Sequence, residues 1–122
     1  MALAVWAATV LLAVVFLGSG AFKLTKSRQA MAEAGMIYVR DLPAWSLKLI
    51  GLAELAGAIG LVLPPVLDRN LELVAAAAGL LAVLMLAAVG LHVRRSEPFL
   101  VPLCLMLLAG AVAVLRLTVY PL

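Results

Sequence analysis

Residues 50–63 read IGLAELAGAIGLVL. Glu54 is the sole charged residue in this stretch, and all its neighbours are apolar residues or glycine. Together with its flank from about Ser46, the segment approaches the roughly 20 residues that a helix needs to cross a bilayer. It therefore predicts a membrane-spanning helix that carries one carboxylate near its middle.

Three further apolar segments lie at about residues 2–22, 71–91 and 99–118. Together with the segment at 46–63 they form four spans that cover almost all of the chain. Hydrophobic residues make up 67% of the sequence and charged residues 12%, which lies outside the range of a soluble domain. The sequence predicts an all-α fold, an integral membrane antiparallel four-helix bundle with residues 1–122 as one domain. We interpret the first segment as a retained helix rather than a secretory signal, because no Lys or Arg precedes it.

The connections between the spans have recognisable stop signals. Pro64 and Pro65 predict the end of the second helix, and Ser96 is a candidate N-cap for the fourth. The longest connection joins the first two spans, and its residues 29–34 favour a short surface helix that ends at Gly35. This connection is either a plain linker or a lid over a pocket.

Basic residues predict the orientation of the bundle. Seven of the nine fall in or beside two loops on the same side: Lys23, Lys26, Arg28, Arg40, Lys48, Arg94 and Arg95. An excess of Lys and Arg marks cytoplasmic loops, so we expect a multi-pass protein of the cell membrane, of bacterial inner-membrane type, with both termini outside. Trp45 and Tyr38 suit the headgroup level as anchors. Arg116 is expected to anchor the outer end of the fourth helix by snorkelling, unless it reaches Glu72 or Asp68.

Glu54 is the main candidate for a functional site. An uncompensated acid at the middle of the bilayer costs on the order of 3 kcal/mol, so we expect Glu54 to face the bundle interior and meet a cation or donor there. We expect this partner to be Lys23 or a group on the third or fourth helix, and Ser19 shares the helix face of Lys23. With His92 these residues are candidates for one ligand-binding pocket, although Lys23 alone suits snorkelling and His92 alone suits an interfacial position. We also expect Glu54→Gln to fold as stably as the parent.

Small residues predict where the helices approach closely. In the second span, Ala53 with Gly57 and Ala56 with Gly60 lie four residues apart, a spacing that lets helix backbones pack in a membrane. Gly18 in the first span and Gly79 and Gly90 in the third are further candidates.

In order and spacing, these positions resemble the DoxX-like family of small four-helix membrane proteins. The resemblance rests on FLGSGAFKL at 16–24, IGLAELAGAIGLVLP at 50–64, His92 followed by Arg94 and Pro98, and Arg116 late in the fourth helix. It implies a protein of mostly undefined activity. Some members are linked to quinone- or thiol-dependent redox complexes, and distant animal relatives help other membrane proteins to assemble.

Three classes of function follow. We favour an accessory, assembly or redox-complex-associated subunit without established catalysis, with a membrane-protein partner or a second copy. The alternative is binding or proton-transfer chemistry on a quinone or isoprenoid, with Glu54 as the candidate catalytic residue. A small proton-coupled transporter is the weakest class, because exporters of similar length carry their acid in the first helix.

Other chemistry is poorly supported by the composition. A single cysteine, Cys104, argues against a self-contained thiol relay, and a single histidine argues against a haem or metal centre. The sequence indicates no cofactor other than a bound quinone or lipid. The net charge of +3 reflects membrane topology, and nothing predicts a nucleic-acid partner.

Overall fold

The computed structural model describes residues 2–36 and 42–119, and every element in them is a helix. The helices are α1 (Ala2–Thr25), α2 (Arg28–Glu33), α3 (Ala44–Leu67), α4 (Glu72–Arg94) and α5 (Leu100–Leu117). All except α2 are long and apolar enough to cross a membrane. The predicted all-α four-helix membrane bundle is confirmed, and each predicted span begins and ends within four residues of its helix.

Close approaches between backbones show that consecutive long helices are antiparallel. Gly20 near the end of α1 meets Gly51 near the start of α3, where an added Cβ on Gly20 would lie 2.7 Å from the Gly51 carbonyl oxygen. An added Cβ on Gly57 would lie 2.6 Å from Leu81, and one on Gly60 2.9 Å from Ala77. Glycine therefore sets the separation of α3 from both of its neighbours.

Not every predicted glycine contact is correct. Gly57 and Gly60 pack against α4 as expected, whereas a Cβ added to Gly18, Gly79 or Gly90 would meet nothing within 4 Å. The close helix contacts predicted at these three glycines are wrong, because periodicity alone does not say which face of an apolar helix meets a neighbour.

The helices form a ring in the order α1, α3, α4, α5. Contact is most extensive between α1 and α3 and between α4 and α5, and least extensive between α1 and α5. A cluster of buried side chains from all four long helices fills the half of the bundle where α1 begins and α3 ends: Leu12, Ala13, Phe16, Ala58, Leu61, Val74, Ala77, Ala78, Leu81, Met85, Ala109 and Val112. The opposite half holds Lys23 and Glu54.

The second long helix does not stop at its prolines. It continues through Pro64 and Pro65 to Leu67. A proline's fixed φ suits a helix, and in the last turn the two missing donors release only the carbonyls of residues 60 and 61. Asp68 ends the helix in the left-handed conformation (φ 52°), where its amide and that of Arg69 donate to the two proline carbonyls.

Ser96 also has a different role from the predicted one. It takes a positive φ of 55° just beyond α4, and its amide donates to the carbonyl of Val93. Ser96 therefore ends α4, and α5 begins after Phe99 without a side-chain cap. Because Ser96 forms the tight turn after α4, it does not cap α5.

The predicted short surface helix is confirmed as α2. The Ser27 side chain accepts a hydrogen bond from the Ala30 amide at 3.1 Å, and Gly35 follows the helix with a φ of 101°. Met31 is fully buried against Leu47 of α3. Helix α2 is thus packed onto the bundle beside the start of α3.

Candidate functional site

Glu54 lies inside the bundle and forms an ion pair with Lys23. The Lys23 Nζ donates to Glu54 Oε1, and the exposed fractions of the two residues are only 6% and 1%. The prediction that Glu54 faces inward and meets a cation is therefore confirmed, with the expected partner. The snorkelling interpretation of Lys23 is wrong, because its ammonium group is buried.

Ser19 completes the polar group at this position. It lies one turn before Lys23 on α1, and its Oγ accepts a second hydrogen bond from Lys23 Nζ at 2.9 Å. Lys23 thus has two acceptors for three N–H groups. We call Ser19, Lys23 and Glu54 the polar triad.

The close approach of α1 and α3 places the triad. A Cβ added to Gly51 would lie 2.8 Å from the Cβ of Lys23, so the lysine stem crosses α3 at a position without a side chain. Glu54 lies one turn further along α3, on the same face. The lysine can therefore reach the carboxylate only because residue 51 is glycine.

Lys48 holds the two helices together at the same end. Its Nζ donates to the backbone carbonyls of Lys23 and Lys26 at 2.8 Å and to that of Leu24 at 3.2 Å. The carbonyls of Lys23 and Leu24 lie in the last turn of α1, where intrahelical partners run out, and that of Lys26 follows directly after the helix. The sequence marked Lys48 only as a topological charge, since no local pattern reveals a lysine that caps another helix.

A cavity of about 600 Å³ adjoins the triad. Its polar lining residues are Ser19, Lys23, Glu54, His92 and Arg94, and its remaining walls come mostly from apolar residues of α4 and α5. All four ligand-binding candidates from the sequence therefore meet at one cavity. Met36 and Leu42, from the connection between α1 and α3, also line it, so this connection forms part of the wall.

The cavity exists because α3 and α4 pack closely only in their other halves. There, Gly57 and Gly60 admit Leu81 and Ala77. Towards the end of α4 that carries His92, lining residues from α1, α3, α4 and α5 surround open space. His92 itself is half-buried in this wall.

One oxygen of the triad has no partner. Glu54 Oε2 is buried and makes no hydrogen bond with any residue that the structure describes. A buried unpaired acceptor costs roughly 1 to 3 kcal/mol, and a charged one costs more. Within the described part of the chain, the triad therefore leaves one carboxylate oxygen unsatisfied.

The expected anchors have different surroundings. Arg116 is buried and lies over the ring of Trp6, with its guanidinium carbon 4.8 Å from the ring centroid, so it does not snorkel. Trp45 is 67% exposed in the first turn of α3, and its place at the headgroups stays a prediction. Tyr38 and Arg40 lie outside the described residues.

The geometry supports binding and proton exchange. A carboxylate beside an ammonium group at the floor of an apolar cavity can orient a polar head by hydrogen bonds, and the carboxylate can also take or give a proton. Cys104 is exposed on α5 and is not among the residues that line the cavity.

Comparison with known proteins agrees with this architecture. The profile of the DoxX-like family matches residues 7–114, which is most of the chain, and the chain belongs to that family. No curated protein and no solved structure matches it. Membership of the family establishes a membrane protein of this type.

Proposed function

We propose that this DoxX-like membrane protein binds a small lipophilic molecule, of quinone or isoprenoid type, with its polar head at Glu54. The observation that carries the proposal is the cavity, which brings together Ser19, Lys23, Glu54 and His92 from three helices. A merely structural ion pair between α1 and α3 needs no such space beside it.

The size and lining of the cavity suit such a ligand. Sites for small molecules typically measure about 300 to 1,000 Å³ and combine apolar walls with a few polar groups that fix orientation. Here the polar groups lie at one position, while Leu84, Met85, Leu91 and Leu105 supply an apolar wall. A molecule with one polar head and one apolar tail matches this division.

Binding of such a molecule fits the accessory role expected from the sequence. A subunit that holds a quinone can serve a redox complex without catalysing a reaction itself. Glu54 would then be a ligand contact, and proton transfer by Glu54 would be a further property of the bound state.

Blocking the cavity tests the proposal. Ala88 lines the cavity on α4, whereas Ala76 is an exposed residue of the same helix that does not line it. We expect the unaltered protein and Ala76→Phe, extracted with their native lipids, to retain a lipophilic small molecule in native mass spectrometry. Ala88→Phe should fold but lose that molecule, because the phenyl ring occupies its space.

The opposite results are equally clear. Retention of the same molecule by both phenylalanine variants would place it outside the cavity. Recovery of a polypeptide partner without any small molecule would favour an assembly role and contradict the proposal.

A further inference from the structure

We infer that the ligand of this cavity carries a hydroxyl group, and that the site selects alcohols or quinols over ethers and quinones of the same shape. This inference rests on the proposed function and names the head group of the ligand. It follows from the two unused hydrogen-bonding groups of the polar triad, Glu54 Oε2 and one N–H of Lys23.

The unpaired acceptor, Glu54 Oε2, restricts the head group of the ligand most strongly. Among the residues that the structure describes, Glu54 Oε2 is buried without a hydrogen-bond partner, while Glu54 Oε1 already accepts from Lys23. A buried carboxylate oxygen can be satisfied only by a donor. A ligand whose head offers carbonyl or ether oxygens alone leaves this oxygen unpaired.

The third N–H of Lys23 further restricts the head group of the ligand. Lys23 Nζ has three N–H groups and donates to Ser19 Oγ and Glu54 Oε1. The third N–H calls for an acceptor in the same small region. A hydroxyl group is both donor and acceptor, so one oxygen can donate to Glu54 and accept from Lys23.

Charge at the polar triad agrees with an uncharged hydroxyl, and Arg94, the other charged lining residue, is exposed at the end of α4. The triad contains one cation and one anion in direct contact, so it has no net charge to offer a charged head. An ammonium head would meet Lys23 at close range, and a carboxylate or phosphate head would meet Glu54. Either like-charge contact is unfavourable in a buried site.

Matched probes test the inference. We would use tritiated farnesol with the protein in phosphatidylcholine nanodiscs, displaced by unlabelled farnesol or by farnesyl methyl ether, each corrected for partition into empty nanodiscs. The two probes share a tail, and the ether lacks the donor. We expect the ether to bind about tenfold more weakly or worse, since hydrogen bonds to charged groups are among the stronger ones.

The variant Glu54→Gln supplies the specific control. The amide oxygen should face the Lys23 ammonium, which places the amide NH₂ where Oε2 was and turns an acceptor into a donor. The preference for the alcohol should then fall to about onefold. Gly110→Ala, a change into open space away from the cavity, should keep the parent's preference.

Each outcome decides the matter. Equal binding of the two probes to the parent, or a preference that survives in Glu54→Gln, would overturn the hydroxyl inference while leaving ligand binding intact. Saturable binding of neither probe would contradict the proposed function, and the inference with it. If Glu54→Gln does not fold, the ratio measured on the parent decides alone.

Discussion

At the scale of single residues, the stability of the bundle depends on keeping Lys23 and Glu54 together. Both are buried, so removing one leaves the other without a countercharge. We predict that Lys23→Met lowers the free energy of unfolding by about 3 to 5 kcal/mol, the usual cost of breaking a buried pair. Unfolding in mixed detergent micelles with increasing dodecyl sulfate would measure it.

The double variant Lys23→Met with Glu54→Met is the matched control. Because it removes both charges, it should recover most of the stability that the single variant loses. Additive losses would show that the two side chains do not interact. The ion pair also revises the expectation that Glu54→Gln is as stable as the parent, since an amide leaves Lys23 uncompensated.

Sequence reasoning predicted part of this site for a clear physical reason. A carboxylate in an apolar helix needs a partner, and Lys23 was the nearest cation on a neighbouring helix. The roles of Lys48 and Arg116 were not predictable in the same way. Lys48 caps carbonyls more than 20 positions earlier in the chain, and Arg116 contacts a tryptophan on the first helix.

At the scale of the helices, the contact between α1 and α3 is set by glycine. A Cβ added to Gly20 would lie 2.7 Å from the Gly51 carbonyl oxygen and 2.9 Å from the Leu55 amide nitrogen. Backbone atoms cannot move aside as a flexible side chain can. We predict that Gly20→Ala destabilises the bundle by about 1 to 3 kcal/mol, as overpacking typically does.

Gly18→Ala is the control for this prediction. It makes the same change in the same helix, but the new Cβ would meet nothing within 4 Å. Alanine favours helix over glycine by up to about 1 kcal/mol, so this variant should be unchanged or slightly more stable. The same unfolding titration compares the two, and equal effects would contradict the close packing of α1 on α3.

Helix ends show where local signals fail. Pro64 and Pro65 predicted a stop because a proline inside a helix loses a hydrogen bond, yet in the last turn that loss is small and α3 continues to Leu67. Existence and type of the helices followed from hydropathy. Their exact ends depend on cap geometry, which the sequence specifies only weakly.

At the scale of the whole molecule, the cavity arises from an arrangement that no single helix encodes. The glycines of α3 allow α4 to pack closely in one half of the bundle, and the cavity lies in the other half, beside the triad. Sequence reasoning identified four polar lining residues, Ser19, Lys23, Glu54 and His92, but the space beside them depends on how all four long helices pack.

Orientation in the membrane is the remaining property at this scale. The ends of α1 and α4 that carry Lys23 and His92 line one cavity, so the two basic loops lie at the same end of the bundle. Arg116, counted for the opposite end, is buried, which leaves Arg69 as the one exposed basic side chain there among the described residues. This asymmetry strengthens the prediction that the cavity end is cytoplasmic and that both termini face outward.

Cysteine labelling tests the orientation. In a Cys104→Ser background, a maleimide that cannot cross membranes should modify Arg69→Cys in intact cells and should miss Arg95→Cys until the cells are permeabilised. The native Cys104 is replaced so that the introduced cysteine is the single thiol of the chain. Labelling of Arg95→Cys alone in intact cells would show that the bundle has the opposite orientation in the membrane. The basic end, with its cavity, would then face outward, so that a ligand head at Glu54 would lie nearer the outer leaflet.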